Sequence, residues 1–289
     1  VGYVFTTEDA QRYEDWLQRE PGRSAFAIEQ DLLYRVWHPL SPQRLLEVGC
    51  GCGHFLHELS QQGHQVTGLD PSPAMLRFAR RRLPRRVRLH EGYAEDLPYA
   101  DNEFDTVALV TTLEFTQDPS TALEEACRVA RSHVLLGVLN KYSLISFQRR
   151  LATLWKPSIY RHARFFSLLQ LHGFLGRILG RSPAMRWRTC LSLPLGTLRY
   201  LRFLENSRYL QWHPFGHFIA LKVDLRYRFI GLQHPLMRAR GPGAQAKPAA
   251  PAPRRSCQAP GGPQAESRAL DARNGRALRK GEDAVRLEA

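Results

Sequence analysis

The run Leu45-Leu46-Glu47-Val48-Gly49-Cys50-Gly51-Cys52-Gly53-His54 places a carboxylate near the end of a short apolar stretch, followed by three glycines at every second position. A helical segment, Phe55-Leu56-His57-Glu58-Leu59, comes next. After Gly63 a second apolar run from Gln65 to Leu69 closes on Asp70. Glycines at such a bend let backbone amides approach a ligand without Cβ interference, and an acid at the next strand's end can accept from two ribose hydroxyls. Strand, glycine turn, helix, strand and acid form the first half of a nucleotide-binding βαβ unit. A pyrophosphate binder would carry G-x-x-G in the second half of its turn, and that glycine position holds His54 here. This disfavours a dinucleotide, and no P-loop lysine followed by Ser or Thr is present either.

Further elements extend the pattern. Ser72 is a natural N-cap with Pro73 at the first helical position, Val87 to His90 reads as a third strand, and Thr106 to Val110 as a fourth. Asp118-Pro119 opens a helix with Leu123, Ala126, Cys127, Val129 and Ala130 at helical spacing, and His133 to Leu139 is a continuous apolar run suited to a strand covered on both faces. The E-x-G-x-G-x-G turn with its downstream acid resembles motif I of the class I methyltransferases that use S-adenosylmethionine. The run from Asp70 to Asp105 fits D-P-S-x-x-M-L…G-x-A-E-x-L-P-x-x-D-x-x-F-D, which is similar to small-molecule methyltransferases of the quinone-biosynthesis type. The resemblance covers Gln11 to Leu139 well and the later chain only in outline.

The resemblance implies an α/β fold: a Rossmann-like, seven-stranded, mostly parallel sheet flanked by helices, with Met185 to Leu193 and Gly216 to Arg228 as antiparallel sixth and seventh strands. It divides the chain into cap helices over 1–40, a cofactor-binding core over 41–140, substrate-region helices and the last strands over 141–238, and a basic tail over 239–289. The tail is Pro, Ala, Gly and Arg with few large apolar residues, so disorder is expected there. The cap should come from Glu8 to Trp37, helical in two pieces broken at Pro21-Gly22. Its Tyr13-Glu14-Asp15-Trp16-Leu17 resembles the family's cleft-capping segment, so Tyr13 either lies by the methyl donor or packs the helix onto the sheet.

Site roles follow from the resemblance together with the chemistry of the residues. Glu47, Gly49, Cys50 and Gly51 should hold the methionine end of S-adenosylmethionine, with Gly53 giving clearance. Asp70 should take the ribose, and Pro71 or Met75 should pack on the adenine. Relatives present an acid to the adenine amino group from a G-D-A-E loop; Tyr93 replaces that Asp here, leaving Ala94 and Glu95 to make the contact. Thr111 to Phe115 follows the fourth strand, where relatives set groups beside the methyl; Glu114 is the candidate base or polar orienter, with a purely capping role as the alternative. Asn140 and Tyr142 after the fifth strand, and Phe147, Phe165 and Phe166 on later helices, are candidate substrate contacts.

Composition limits the alternatives. The chain has 289 residues, 43% of them hydrophobic, enough to bury a full core. No apolar run reaches the ~18–20 residues of a membrane span, and Val1-Gly2-Tyr3 does not read as a signal peptide. Five cysteines without a framework point to reduced thiols and the cytoplasm, and the C-x-C pair lacks further ligands for a metal. The net charge of +14 admits a rival, a nucleic-acid methyltransferase, but the arginines are scattered and no RNA-binding module, N-P-P-Y motif or Pro-Cys nucleophile is present. Weak contact with an anionic membrane through the arginines and the 141–180 helices is a further expectation. A non-catalytic relative that binds the donor as a sensor is the third reading. The expected partner is a small-molecule methyl acceptor; oligomeric state is not readable.

Overall fold

Strong start signals set the helices. In the computed structural model, which describes residues 2–152, 161–180, 182–192 and 211–225, Thr6 and Asp9 form a capping box that opens α1 (Thr7–Gln18). Helix α2 (Gly22–Trp37) ends on His38 in the left-handed region. Gly53, also left-handed, starts α3 (His54–Gln61). Ser72 and Pro73 open α4 (Pro73–Arg82), and Asp118 and Pro119 open α5 (Pro119–Val129). Helix α6 spans Leu144–Ala152; α7 (Leu168–Leu179) begins with a Ser167–Gln170 capping box and ends at Gly180.

Seven strands, β1 (Arg44–Val48), β2 (Gln65–Asp70), β3 (Arg88–Glu91), β4 (Phe104–Val110), β5 (Ala130–Leu139), β6 (Ala184–Cys190) and β7 (Phe218–Asp224), form one sheet in the order β3-β2-β1-β4-β5-β7-β6. The expected Rossmann-like sheet is present. Among the described strands β7 alone is reversed, as expected of the last strand; the expectation that the sixth is reversed as well is corrected. Strand β7 pairs antiparallel with both β5 and β6, so β6 runs in the same sense as β1 to β5.

Alternation along each strand fills two cores. Leu45, Leu135, Phe218 and Ala220 face α2, α3 and α4, meeting Ile28, Leu32, Leu33, Trp37, Leu56 and Leu76. Leu46, Val48, Leu136, Val138, Ile219 and Leu221 face the other way, toward α5 and α7. The strand order reverses between β1 and β4, both parallel neighbours, opening a crevice at their carboxyl ends where such sheets bind ligands. Residues 1–229 form one compact unit. The expected disordered tail over 239–289 and the 225–228 end of the last predicted strand lie largely outside the described residues.

Candidate active site

The glycine turn is built by backbone bonds to β2. The N–H groups of Gly49 and Cys50 both donate to the Leu69 carbonyl, at 2.7 and 3.0 Å. Gly49, at φ +71°, is required twice over, because a Cβ there would also overlap the Thr112 side chain. Thr112 is fixed in turn by donating its hydroxyl to the Val48 carbonyl (2.8 Å). A Cβ on Gly51, at φ +52°, would meet nothing within 4 Å, so the chain presents bare backbone to open space there.

Asp70 ends β2 with its carboxylate turned to that backbone. Oδ2 accepts from the Gly51 N–H and Oδ1 from the Ser72 N–H, each at 2.8 Å. Burial pushes its pKa up to about 6, against the pull of those two donors. Glu47 is buried beside it, and its Oε2 has no hydrogen-bond partner. Burial, then the Asp70 charge, raises the Glu47 pKa well above the usual carboxylate range; the Leu56 N–H pulls the other way.

These groups line a cavity of about 500 Å³, within the range of small-ligand sites. Gly49, Cys50, Gly51, Pro71, Met75, Ala94, Glu95, Thr111 and Tyr13 line it as well. Tyr3, Phe5, Phe26, Glu29 and Leu191, none signalled by a motif, form much of the remaining wall together with Phe115, the last residue of the segment expected beside the methyl. Tyr3, Phe5 and Phe115 make an edge-packed cluster, with Phe5 and Phe115 centroids 4.9 Å apart. Two wall residues, Thr111 and Leu191, hold left-handed backbone at φ 53° and 58°. Such strain in non-glycine residues costs of order ~1–3 kcal/mol each and clusters at functional sites. Glu95 lends Oε1 to the N–H groups of Gln117 and Asp118. Gly53 packs against Leu83 and Ala79, so its role is in the helix start.

Helix α1 is locked over this cavity. Glu14, buried, receives Arg82 through both oxygens (2.7 and 3.0 Å) and His54 Nε2 at 2.8 Å. Arg82 also donates to the Cys52 carbonyl, tying the glycine turn into the same knot. Burial works to raise the Glu14 pKa, but Arg82 and His54 outweigh it and hold the carboxyl below its ordinary value. Burial and the Arg82 charge lower the His54 pKa against the pull of Glu14. Cys52 lies 3.3 Å from the Met75 sulfur, and burial raises both Cys50 and Cys52 thiol pKa values, as suits inert packing.

Several residues expected at the site lie elsewhere. Glu114 is fully buried behind the wall, where Oε1 accepts from the Leu139 N–H; burial pushes its pKa up to about 8. The capping alternative describes this placement. Asn140 is buried because its amide donates to the carbonyls of Pro214 and Gly216 (2.7 Å each). Tyr142 and Phe147 are exposed, since the chain after β5 turns out over the surface, whereas Phe165 and Phe166 are packed into the two cores. None of these six lines the cavity.

Comparison with known proteins agrees with this geometry. Residues 46–136 match the family described as a methyltransferase domain. An uncharacterized methyltransferase of Mycobacterium tuberculosis is 36% identical over 101 residues, covering 35% of this chain and 41% of that protein. The match thus spans about two fifths of that relative's length. A crystal structure of a SAM-dependent methyltransferase from Thermotoga maritima superposes with a TM-score of 0.61 at 23% identity, covering 76% of this chain and 97% of that one. Magnesium protoporphyrin IX methyltransferase from Synechocystis, with bound SAH, superposes at 0.51 and 14% identity, covering 71% and 87%.

The chain therefore has the fold of these methyltransferases, and its residues 46–136 match the methyltransferase-domain family. The Synechocystis neighbour holds SAH, the form that S-adenosylmethionine takes after giving up its methyl group. The cavity's chemistry fits that molecule: Asp70 keeps lone pairs for two hydroxyls, the unpartnered Glu47 Oε2 suits a cationic amino group, and Gly51 leaves room for the tail.

Proposed function

We propose that the whole chain is an S-adenosylmethionine-dependent methyltransferase acting on a small, largely apolar acceptor, in keeping with its resemblance to the quinone-biosynthesis type. The observation that carries this reading is one cavity with two kinds of lining. Asp70, Glu47 and the bare glycine backbone supply the polar part, and Tyr3, Phe5, Phe26 and Phe115 the aromatic part. When bound, the cofactor supplies an electrophilic methyl group on a sulfonium. Asp70 holds the ribose, Glu47 faces the amino group, and Met75 and Pro71 pack on the adenine. Glu29, on α2, presents a carboxylate to the same cavity and is assigned to the acceptor's polar end. Helices α1 and α2 roof the cavity, and holding reactants aligned away from water can supply roughly 7–11 kcal/mol of the barrier.

Purified protein incubated with methyl-labelled donor and a metabolite extract should yield a labelled product of low mass. Label in the RNA fraction, or consumption of no donor with any acceptor, would overturn the reading. Asp70→Ala should abolish calorimetric donor binding; an undiminished affinity would count against the site assignment.

A further inference from the structure

Among the described residues eight large hydrophobic side chains stand exposed, and six of them lie on three segments: Tyr142, Leu144, Phe147, Leu169, Trp212 and Phe215, each 56–82% accessible. The three segments meet at Asn140. The Asn140 N–H donates to the His217 carbonyl (2.7 Å) and its side chain to the Pro214 and Gly216 carbonyls, while the next residue, Lys141, donates its N–H to the Phe166 carbonyl (2.8 Å). The hydroxyls of Ser143 and Ser146 both meet His217 Nδ1 at 3.0 Å. The patch is therefore held by buried polar bonds beneath it. Exposed apolar clusters of this kind mark interaction surfaces.

The sequence of this region is one-sided in charge. From residue 141 to 222 the chain has fourteen lysines and arginines and a single acid, Glu205, whereas the first 140 residues have twenty acids and fourteen lysines and arginines. Arg188 lies 4.4 Å over the Trp212 ring and Lys141 5.9 Å over Tyr142. Lys141, Arg161 and Arg164 border a shallow adjoining depression, with Asp118 as the acid among them.

We propose that this face docks on an anionic lipid bilayer. Cations interleaved with Trp, Tyr and Phe suit the headgroup layer, and exposed Leu144 and Leu169 offer aliphatic surface to the acyl boundary. A second copy would bring like charge against like charge. A nucleic acid would match the cations and rings and leave the leucines without a partner.

The test is sedimentation of the full chain with vesicles of phosphatidylcholine alone and of phosphatidylcholine with about a third phosphatidylglycerol. The protein should bind the anionic vesicles and leave the neutral ones. The combined variant Leu144→Ser, Leu169→Ser, Trp212→Ser should partition about tenfold more weakly or worse while keeping its calorimetric donor affinity. Where that variant loses donor binding as well, the single changes Leu169→Ser and Trp212→Ser, each still folded, should each weaken partitioning. Neglect of anionic vesicles, unchanged partitioning of the folded variants, or preference for single-stranded RNA over vesicles that these substitutions abolish would overturn the assignment. Vesicle binding is read without turnover, so its failure is distinct from failure of the methyltransferase reading.

Discussion

Two carboxyl groups with raised pKa values answer to pH in different ways. Asp70 titrates at about 6 because burial outweighs the Ser72 and Gly51 N–H donors. Hydroxyl donors are bound by its ionised form, so donor affinity should fall as pH drops below about 6, approaching tenfold per unit. Calorimetry across pH 5 to 8 checks this, and Asp70→Asn should bind weakly with a flatter profile. Glu114, pushed to about 8 by burial, sits behind Leu139. Its folded pKa lies above the ordinary carboxyl value of 4.5, so the folded state holds a proton that the unfolded state releases. That contribution to stability is complete below the unfolded value and is lost as pH rises toward about 8. Glu114→Gln, which keeps an acceptor for the Leu139 N–H, should flatten the decline in Tm between pH 5 and 8 and retain turnover. Loss of turnover with an unchanged Tm profile would restore Glu114 as a base.

At the scale of elements, the join between α1 and the α3–α4 side of the sheet is the Glu14–Arg82–His54 knot. Breaking a buried pair costs ~3–5 kcal/mol; Arg82 keeps some water, so each of Glu14→Gln and Arg82→Met should cost about 3 kcal/mol or less. Their double mutant should cost far less than the sum, as read by denaturant unfolding. The sign with pH is opposite to that of Glu114. Glu14 lies below its ordinary value, so its contribution is present above the unfolded pKa and is lost as pH falls through the folded one. This knot was not legible in the sequence, because Glu14 and Arg82 are 68 residues apart and carry no spacing signal. The elements themselves were legible: Ser72-Pro73, Asp118-Pro119 and the alternate glycines are local signals, and each opens the element they predict. The sense of β6 was not, since it depends on which edge of β7 it joins.

For the whole molecule, the glycine turn, Asp70 and Met75 were legible because their chemistry is written within about thirty residues. The acceptor wall was not, because Phe26 and Glu29 on α2, Phe115 and Leu191 come from three separate segments and meet only through folding. Asn140, Phe165 and Phe166 lie outside the cavity lining for the same reason: the end of β5 suggests a ligand site, while the chain there is committed to fastening the 212–217 loop. The long separation of partners also affects biosynthesis. Helix α2, made among the first forty residues, rests its apolar stripe on Phe218 and Ala220, which are made near the end of the compact unit. On the ribosome that stripe must wait, uncovered, while well over a hundred residues are added. A fragment ending before residue 217 would hold every recognisable cofactor motif and still emerge as aggregated protein.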